Sequence, residues 1–243
     1  MTETVEKTAN GAILYDRQII NQMSEDLFVA SSWLHSEPMQ GRLGSGGRGN
    51  TMFVGNIPRQ FVLRHYVRGG MIGKLVKDLY VFTGAEGTRP FREWRMLAKM
   101  SDNGLRVPRP AAARYVRRGP FYTADLITVR VPKVHALSTW IHERAGGEKF
   151  WGELGEAIHD FHANGVYHAD MNAFNLQIDD SGKLWMLDFD KGKLLPAGAW
   201  QQETLNRLHR SLQKLKSLDP TLHYDEQCWQ HLLEGYFAAS RSA

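Results

Sequence analysis

Residues 167–191, YHADMNAFNLQIDDSGKLWMLDFDK, decide how the chain reads. They set His168, Asp170 and Asn175 in the pattern H-x-D-x-x-x-x-N and then deliver Asp188-Phe189-Asp190. Between these groups, 175–187 predicts strand, turn, strand, with Asp180-Ser181-Gly182 as the turn. One hairpin would therefore bring two acidic side chains and a carboxamide together. Phosphoryl transfer needs such a set. One carboxylate takes or orients the proton of the acceptor hydroxyl, while a second carboxylate and an amide oxygen hold Mg²⁺ on the nucleotide phosphates. On this reading Asp170 is the base, Asn175 and Asp188 are the metal ligands, and ATP with Mg²⁺ are the cofactors. His168 joins the catalytic group as a support for the loop backbone.

Upstream, LGSGGRGNTMFV (43–54) fits G-x-G-x-x-G through Gly44, Gly46 and Gly49. A dinucleotide-binding unit would open a helix here, but β-prone Thr51-Met52-Phe53-Val54 follows instead. The segment reads as a glycine-rich hairpin in which the amides of Gly44, Ser45, Gly46, Gly47 and Gly49 cover nucleotide phosphates. A plain surface hairpin is the alternative. Phe61 to Tyr66 reads as a strand with Val62, Arg64 and Tyr66 on one face. Arg64, fifteen positions after Gly49, is placed to supply the cation that grips the phosphates. A helix from Thr88, its N-cap, to about Met100 carries Glu93 on the same face as Met96, Leu97 and Met100. A buried carboxylate asks for a cation. Arg64 would be its partner in a kinase-like site, and Arg89 or Arg92 in a purely local pairing.

The remaining pattern is α+β. Helices are expected at Ser24 to Leu34, Leu137 to Ala145, Trp151 to Ala163, Gln201 to Ser217 and Asp225 to Ala239, and strands near Ala111 to Val116 and Tyr122 to Val129. We expect a protein-kinase-like two-lobed fold: a small antiparallel β lobe with one helix over 1–130, and a mainly helical lobe over 131–243. His159 and His162 read as helix-surface histidines. In the 201–217 helix, Leu205, Leu208, Leu212 and Leu215 form a core stripe, while Arg207, Arg210 and Lys214 form a basic one.

Composition narrows the classes. A chain of 243 residues with 42% hydrophobic content can bury a full core, and a single cysteine excludes an intrachain disulfide. No secretion signal opens the sequence, and no apolar run approaches the roughly 18 residues of a membrane span. The net charge of +4 leans toward an anionic partner. H-E-x-x-H, G-x-S-x-G and a Gly-Lys-Ser/Thr phosphate loop are all missing, which argues against zinc proteases, serine hydrolases and P-loop enzymes. No Ala-Pro-Glu follows Lys191-Gly192, so a regulated protein kinase is disfavoured.

The whole chain resembles the lipopolysaccharide kinase family, and within it the kinases acting on the sugar 3-deoxy-D-manno-octulosonic acid (Kdo). The likeness is carried by Leu63-Arg64-His65-Tyr66 with Arg68-Gly69-Gly70, Arg92-Glu93-Trp94-Arg95, HADMNAFN (168–175), DFDKG (188–192) and NRLHRSLQKLK (206–216). The resemblance implies transfer of the ATP γ-phosphate to the 4-hydroxyl of Kdo on a lipid A precursor. It implies peripheral attachment to the anionic cytoplasmic face of a bacterial inner membrane, with neither nucleic acid nor an obligate protein partner. Asp170 then serves as base, Asn175 and Asp188 as Mg²⁺ ligands, Arg64 with Glu93 as the phosphate-side pair, and 44–49 as the phosphate cover. Arg64 stands where kinases usually carry lysine, and Asp190 where they carry glycine. A heptose or other small-molecule kinase, or a pseudokinase adaptor, would share most of these features.

Overall fold

The computed structural model describes residues 1–39, 51–56, 59–67 and 78–242; the expected phosphate cover at 44–49 and Arg68-Gly69-Gly70 lie outside them. The chain divides into two compact units, Met1–Asn103 with Pro108–Val131, and Gly104–Val107 with Pro132–Ala243.

In the first unit, β1 (Glu3–Thr8) and β2 (Gly11–Asp16) form a hairpin. They are followed by β3 (Ser36–Pro38), β4 (Thr51–Asn56), β5 (Arg59–His65), β6 (Tyr80–Val81), α1 (Arg89–Asp102), β7 (Pro110–Arg118) and β8 (Phe121–Val129). The sheet is antiparallel, ordered β1-β2-β7-β8-β5-β4-β3, with β6 beside β8. Period-two alternation decides which residues reach which face. Phe61 and Leu63 of β5 join Ile13, Tyr15, Phe28, Ala111 and Ile127 in one apolar cluster. Arg64, the residue after Leu63, points the other way and meets Glu93 of α1. Helix α1 packs on β7 and β8 and buries Phe91, Trp94, Leu97 and Met100.

The helix expected at Ser24 to Leu34 is instead two short 3₁₀ pieces, Glu25–Phe28 and Ala30–Ser32. Ser24 does cap the first, accepting the Asp26 N–H at 3.2 Å. Leu34, 90% exposed, adds nothing to an apolar stripe, so tertiary packing holds single turns without extending them. Thr88 precedes α1 in extended conformation but does not cap it with its side chain; its hydroxyl donates to the carbonyl of Ala85 at 2.6 Å.

In the second unit, β9 (Val134–Ala136), α2 (Leu137–Glu143), α3 (Glu148–Ala163), β10 (Val166–Tyr167), β11 (Leu176–Asp179), β12 (Leu184–Met186), β13 (Lys193–Leu194), α4 (Trp200–Leu218) and α5 (Glu226–Ser242) follow in order. The core is built on α3 against α5, where glycines let the backbones touch. A Cβ on Gly155 would lie 1.9 Å from the Leu232 carbonyl oxygen, and one on Gly235 2.1 Å from that of Gly152. Only glycine permits that approach. Among the described residues no helix is long and apolar enough to cross a membrane. The architecture is the α+β, kinase-like one that the sequence predicts: an antiparallel sheet with one packed helix, then a mainly helical unit.

Candidate active site

Strand β10 feeds directly into the 168–175 loop, and the hairpin of β11 and β12 then returns the chain to its starting point. Leu176 pairs with Met186 and Ile178 with Leu184. The Leu187 N–H donates to the Asn175 carbonyl at 3.1 Å, so Asp188 follows one residue beyond the end of the ladder. The turn is clamped by Asp179, whose carboxylate accepts from the Ser181 and Lys183 N–H groups (2.9 and 3.0 Å), the Ser181 hydroxyl (2.6 Å) and the Trp185 indole (3.0 Å). Burial pushes this carboxyl up, but those donors outweigh it and hold its pKa at about 2. Gly182 takes the left-handed conformation, φ +78°, that the turn needs.

His168 ties the two acidic segments together. Its ring is buried, its Nδ1 lies 3.2 Å from the Asp170 N–H, and its Nε2 lies 2.8 Å from the Leu187 carbonyl. An N–H can only donate and a carbonyl only accept, which fixes the neutral Nε2–H tautomer. Burial lowers the imidazole pKa below the usual value, against the smaller opposing pull of the Leu187 carbonyl and the nearby carboxylates. Both ring nitrogens of His168 are engaged by backbone groups, the arrangement expected of a support for the loop backbone. Phe189 lies beneath it, ring centroids 5.0 Å apart, and is itself buried.

The loop between is held by amides. Asn175 Nδ2 donates to the Asp170 carbonyl at 2.7 Å, and Asn172 Nδ2 to the same oxygen at 3.0 Å. Asn172 Oδ1 accepts from the N–H groups of Phe174 (2.8 Å) and Asn175 (3.2 Å). This Asx turn was not singled out from the sequence, though an asparagine two and three residues before the N–H groups it caps is its usual signal. Asp188 has φ +63°, a left-handed backbone that few non-glycine residues adopt; aspartate tolerates it better than most.

Oxygen donors of this kind suit Mg²⁺. The Asn175 amide commits its nitrogen to the Asp170 carbonyl, so its oxygen is the atom that could meet a metal, and the Asp188 carboxylate could provide a second. Among the described residues no group of three or more His, Cys, Asp and Glu is placed to hold a metal. Nucleotide Mg²⁺ needs no such cage, since one or two protein oxygens, phosphates and water complete its shell.

In the first unit, Arg64 and Glu93 form an ion pair at 2.5 Å between an Arg side chain 23% exposed and a Glu side chain 3% exposed. Tyr66 completes it: its hydroxyl donates to the same Glu93 oxygen at 2.6 Å and lies 3.1 Å from the Arg64 guanidinium, which also sits over its ring. The sequence placed Tyr66 on the right face without assigning it this work. His65, on the opposite face, sets its ring nitrogens toward Asp125 (2.7 Å) and Asp78 (3.4 Å), while Arg114 also binds Asp125 at 2.9 Å. The Asp125 hydrogen bond raises the His65 pKa.

His162 is not a surface histidine. It is buried between α4 and α5, with Nε2 3.0 Å from the Thr204 hydroxyl and Nδ1 2.8 Å from the Tyr236 hydroxyl. Thr204 donates its own proton to the Gln201 carbonyl, so His162 Nε2 carries a proton and donates it to Thr204, and burial lowers the imidazole pKa to about 4. On α4, Leu205, Leu208 and Leu212 are buried as the stripe predicts, and Arg207, Arg210 and Lys214 are exposed. Ser211 accepts the Ala173 N–H at 3.3 Å, joining this helix to the 168–175 loop.

Comparison with known proteins gives a consistent answer. The family model described as "Lipopolysaccharide kinase (Kdo/WaaP) family" matches residues 38–236. The chain is 38% identical over 228 residues to the 3-deoxy-D-manno-octulosonic acid kinase of Vibrio parahaemolyticus serotype O3:K6 (strain RIMD 2210633), covering 94% of both. It is 41% identical over 209 residues to the protein of the same name from Xanthomonas euvesicatoria pv. vesicatoria (strain 85-10), covering 85% of this chain and 82% of that one. Among solved structures, the bifunctional kinase-methyltransferase WbdD gives a TM-score of 0.44 at 15% identity over 86% of this chain, which spans 47% of its length. The family match runs from β3 into α5, and the chain belongs to the lipopolysaccharide kinase (Kdo/WaaP) family.

Proposed function

We propose that this chain is an ATP-dependent kinase that phosphorylates the 4-hydroxyl of Kdo on a lipid A precursor. The family and the names of its relatives support the class of reaction and the sugar. The observation that carries the mechanism is the His168 brace, which links the backbone beside Asp170 to that beside Asp188 through one buried neutral ring. Asp170, half-buried at the loop, accepts the proton of the acceptor hydroxyl as its oxygen bonds to the γ-phosphorus and the bond to ADP breaks. Asn175 and Asp188 hold Mg²⁺, which when bound neutralises charge on the phosphates. Arg64, held by Glu93 and Tyr66, grips the α- and β-phosphates with a planar fork. The exposed Arg207, Arg210 and Lys214 of α4 face anionic lipid headgroups, giving peripheral attachment at the cytoplasmic face of the inner membrane.

The test is transfer of label from γ-³²P ATP to a Kdo-bearing lipid A precursor. Incorporation that Asp170→Ala abolishes supports the enzyme. No incorporation into that lipid overturns it, and nucleotide binding without incorporation into any lipid or sugar leaves an adaptor.

A further inference from the structure

Arg64, Tyr66 and Glu93 close a triangle of hydrogen bonds. Arg64 Nη2 donates to Glu93 Oε2 at 2.5 Å and to the Tyr66 hydroxyl oxygen at 3.1 Å, and that hydroxyl donates to the same Glu93 oxygen at 2.6 Å. Tyr66 is the firmly held corner. It is buried, and its N–H donates to the Ala124 carbonyl of β8 at 2.9 Å, carrying the ladder one residue past the end of β5. The Arg64 guanidinium lies 4.6 Å from the centroid of its ring, and that of Arg89, the first residue of α1, lies 5.5 Å from it. Residues two apart on a strand share a face, so residues 64 and 66 meet without disturbing the sheet. A planar cation with donors on three nitrogens can lie on the ring, bond the hydroxyl and bond the carboxylate at once. This triangle occupies only one of those nitrogens, Nη2. An ammonium has a single nitrogen, so each contact with Tyr66 or Glu93 turns one of its three N–H groups away from a phosphate.

We propose that Tyr66 is a positioning residue that makes position 64 specific for arginine over lysine. A single contact between one nitrogen and one carboxylate oxygen lets the guanidinium plane swing about that axis. The Tyr66 hydroxyl supplies a second fixed point for Nη2, and the Tyr66 ring sets the plane. The arginine that stands where kinases usually carry lysine is thereby matched by a phenol two residues further along the chain. This rests on the reading of Arg64 as the cation that grips the nucleotide phosphates, but the hold on the guanidinium is measurable without nucleotide.

The experiment is a double-mutant cycle on the full chain, with MgATP binding followed by calorimetry in wild type, Arg64→Lys, Tyr66→Phe and the pair. Tyr66→Phe keeps the ring and removes only the hydroxyl. In the wild-type background Arg64→Lys weakens ATP binding about tenfold. In the Tyr66→Phe background the same change costs at most about twofold, because an unheld guanidinium has little advantage over an ammonium. A loss of folded protein would weaken binding with either cation alike and leave their ratio unchanged, so the ratio reports positioning alone. With a Kdo-bearing acceptor, Tyr66→Phe raises the KM for ATP about fivefold while the acceptor KM stays within about twofold. A second measurement needs no variant: side-chain ¹⁵N NMR of Arg64 in nucleotide-free wild type shows restricted rotation about the Cζ–Nη2 bond, and free rotation there overturns the proposal. An Arg64→Lys cost equal in the two backgrounds also overturns it, while leaving Arg64 as the phosphate cation. ATP binding indifferent to Arg64→Lys and Arg64→Ala alike sinks the phosphate reading, and the specificity with it.

Discussion

The Nε2 of His168 lies 2.8 Å from the carbonyl oxygen of Leu187, the residue just before Asp188. Through its other nitrogen the same ring receives the Asp170 N–H at 3.2 Å. Asp170 and Asp188 are eighteen residues apart in sequence, yet their backbones share this buried hub. Replacing His168 with Leu preserves volume but frees both backbones. We expect kcat to fall at least about tenfold while the KM for ATP changes little, since the hub positions groups and contacts no phosphate. A kcat within about twofold of wild type would show that the loop holds its geometry without the ring.

Asp188 is held at φ +63°, which alanine adopts only with strain. Asparagine tolerates that conformation, so Asp188→Asn tests charge with the backbone preserved. We expect Mg²⁺-dependent turnover to vanish and the melting temperature to stay within a few degrees. Asp188→Ala should lose turnover equally and cost about 1 kcal/mol more in stability. Near-normal turnover in Asp188→Asn would contradict metal ligation at this position.

The Arg64–Glu93 pair is lopsided: the Arg side chain is 23% exposed and the Glu side chain 3%. Removing Arg64 takes the guanidinium from a deeply buried carboxylate, whereas removing Glu93 leaves an arginine that can turn to water. Arg64→Ala should therefore destabilise the chain by about 3 kcal/mol in urea melts, and Glu93→Ala by less. Both should weaken ATP binding. Arg64→Lys should restore part of it as a point charge without the fork. Equal destabilisation by the two alanine variants would deny the asymmetry.

The sequence reads most clearly where one local rule suffices. The Asp180-Ser181-Gly182 turn and the apolar stripe of α4 follow from spacing alone, and the structure has both, with Leu205, Leu208 and Leu212 buried and Leu215 half-buried. Glu93 was legible too, because a carboxylate among core residues demands a partner. What spacing could not give was anything that depends on two distant strands or helices meeting. His162 sits on the last turn of α3 and looks exposed by sequence; it is buried because α4 and α5 bring Thr204 and Tyr236 over it. Tyr66 was missed for the same reason, since its phenol bonds Glu93 on a separate helix, whereas the Asx turn at Asn172 is local and its spacing was there to be read. The 24–34 segment failed in the other direction, where helical propensity promised more than packing supports.

His162 also predicts a pH dependence. Its folded-state pKa is lowered to about 4 by burial, so the unfolded chain binds the proton more readily. Its contribution to stability is therefore full above the unfolded value of about 6.5 and is lost as pH falls toward 4, by as much as ~3 kcal/mol. His168, lowered by burial as well, adds to the same acid limb. His65 works oppositely: the Asp125 bond raises its pKa, so its contribution is present at low pH and lost as pH rises through that raised value. Wild type should lose melting temperature steeply between pH 6.5 and 4, and His162→Gln should show a shallower slope. Parallel slopes would mean that His162 does not set the acid limb.

Helix α4 presents Arg207, Arg210 and Lys214 to solvent, and no ion pair to any of them occurs among the described residues. A structural helix has no need to keep three cations unneutralised along one side, whereas an anionic bilayer adds about 1 kcal/mol for each basic residue near its surface. Arg207→Glu with Arg210→Glu reverses two of these charges without touching the buried Leu205, Leu208 and Leu212. We expect sedimentation with phosphatidylglycerol-containing vesicles to fall more than tenfold, and the residual binding to respond less to added salt. The circular dichroism melt should be unchanged, because both side chains leave the core intact. Vesicle binding equal to wild type would reduce this helix to a core element with a solvated face.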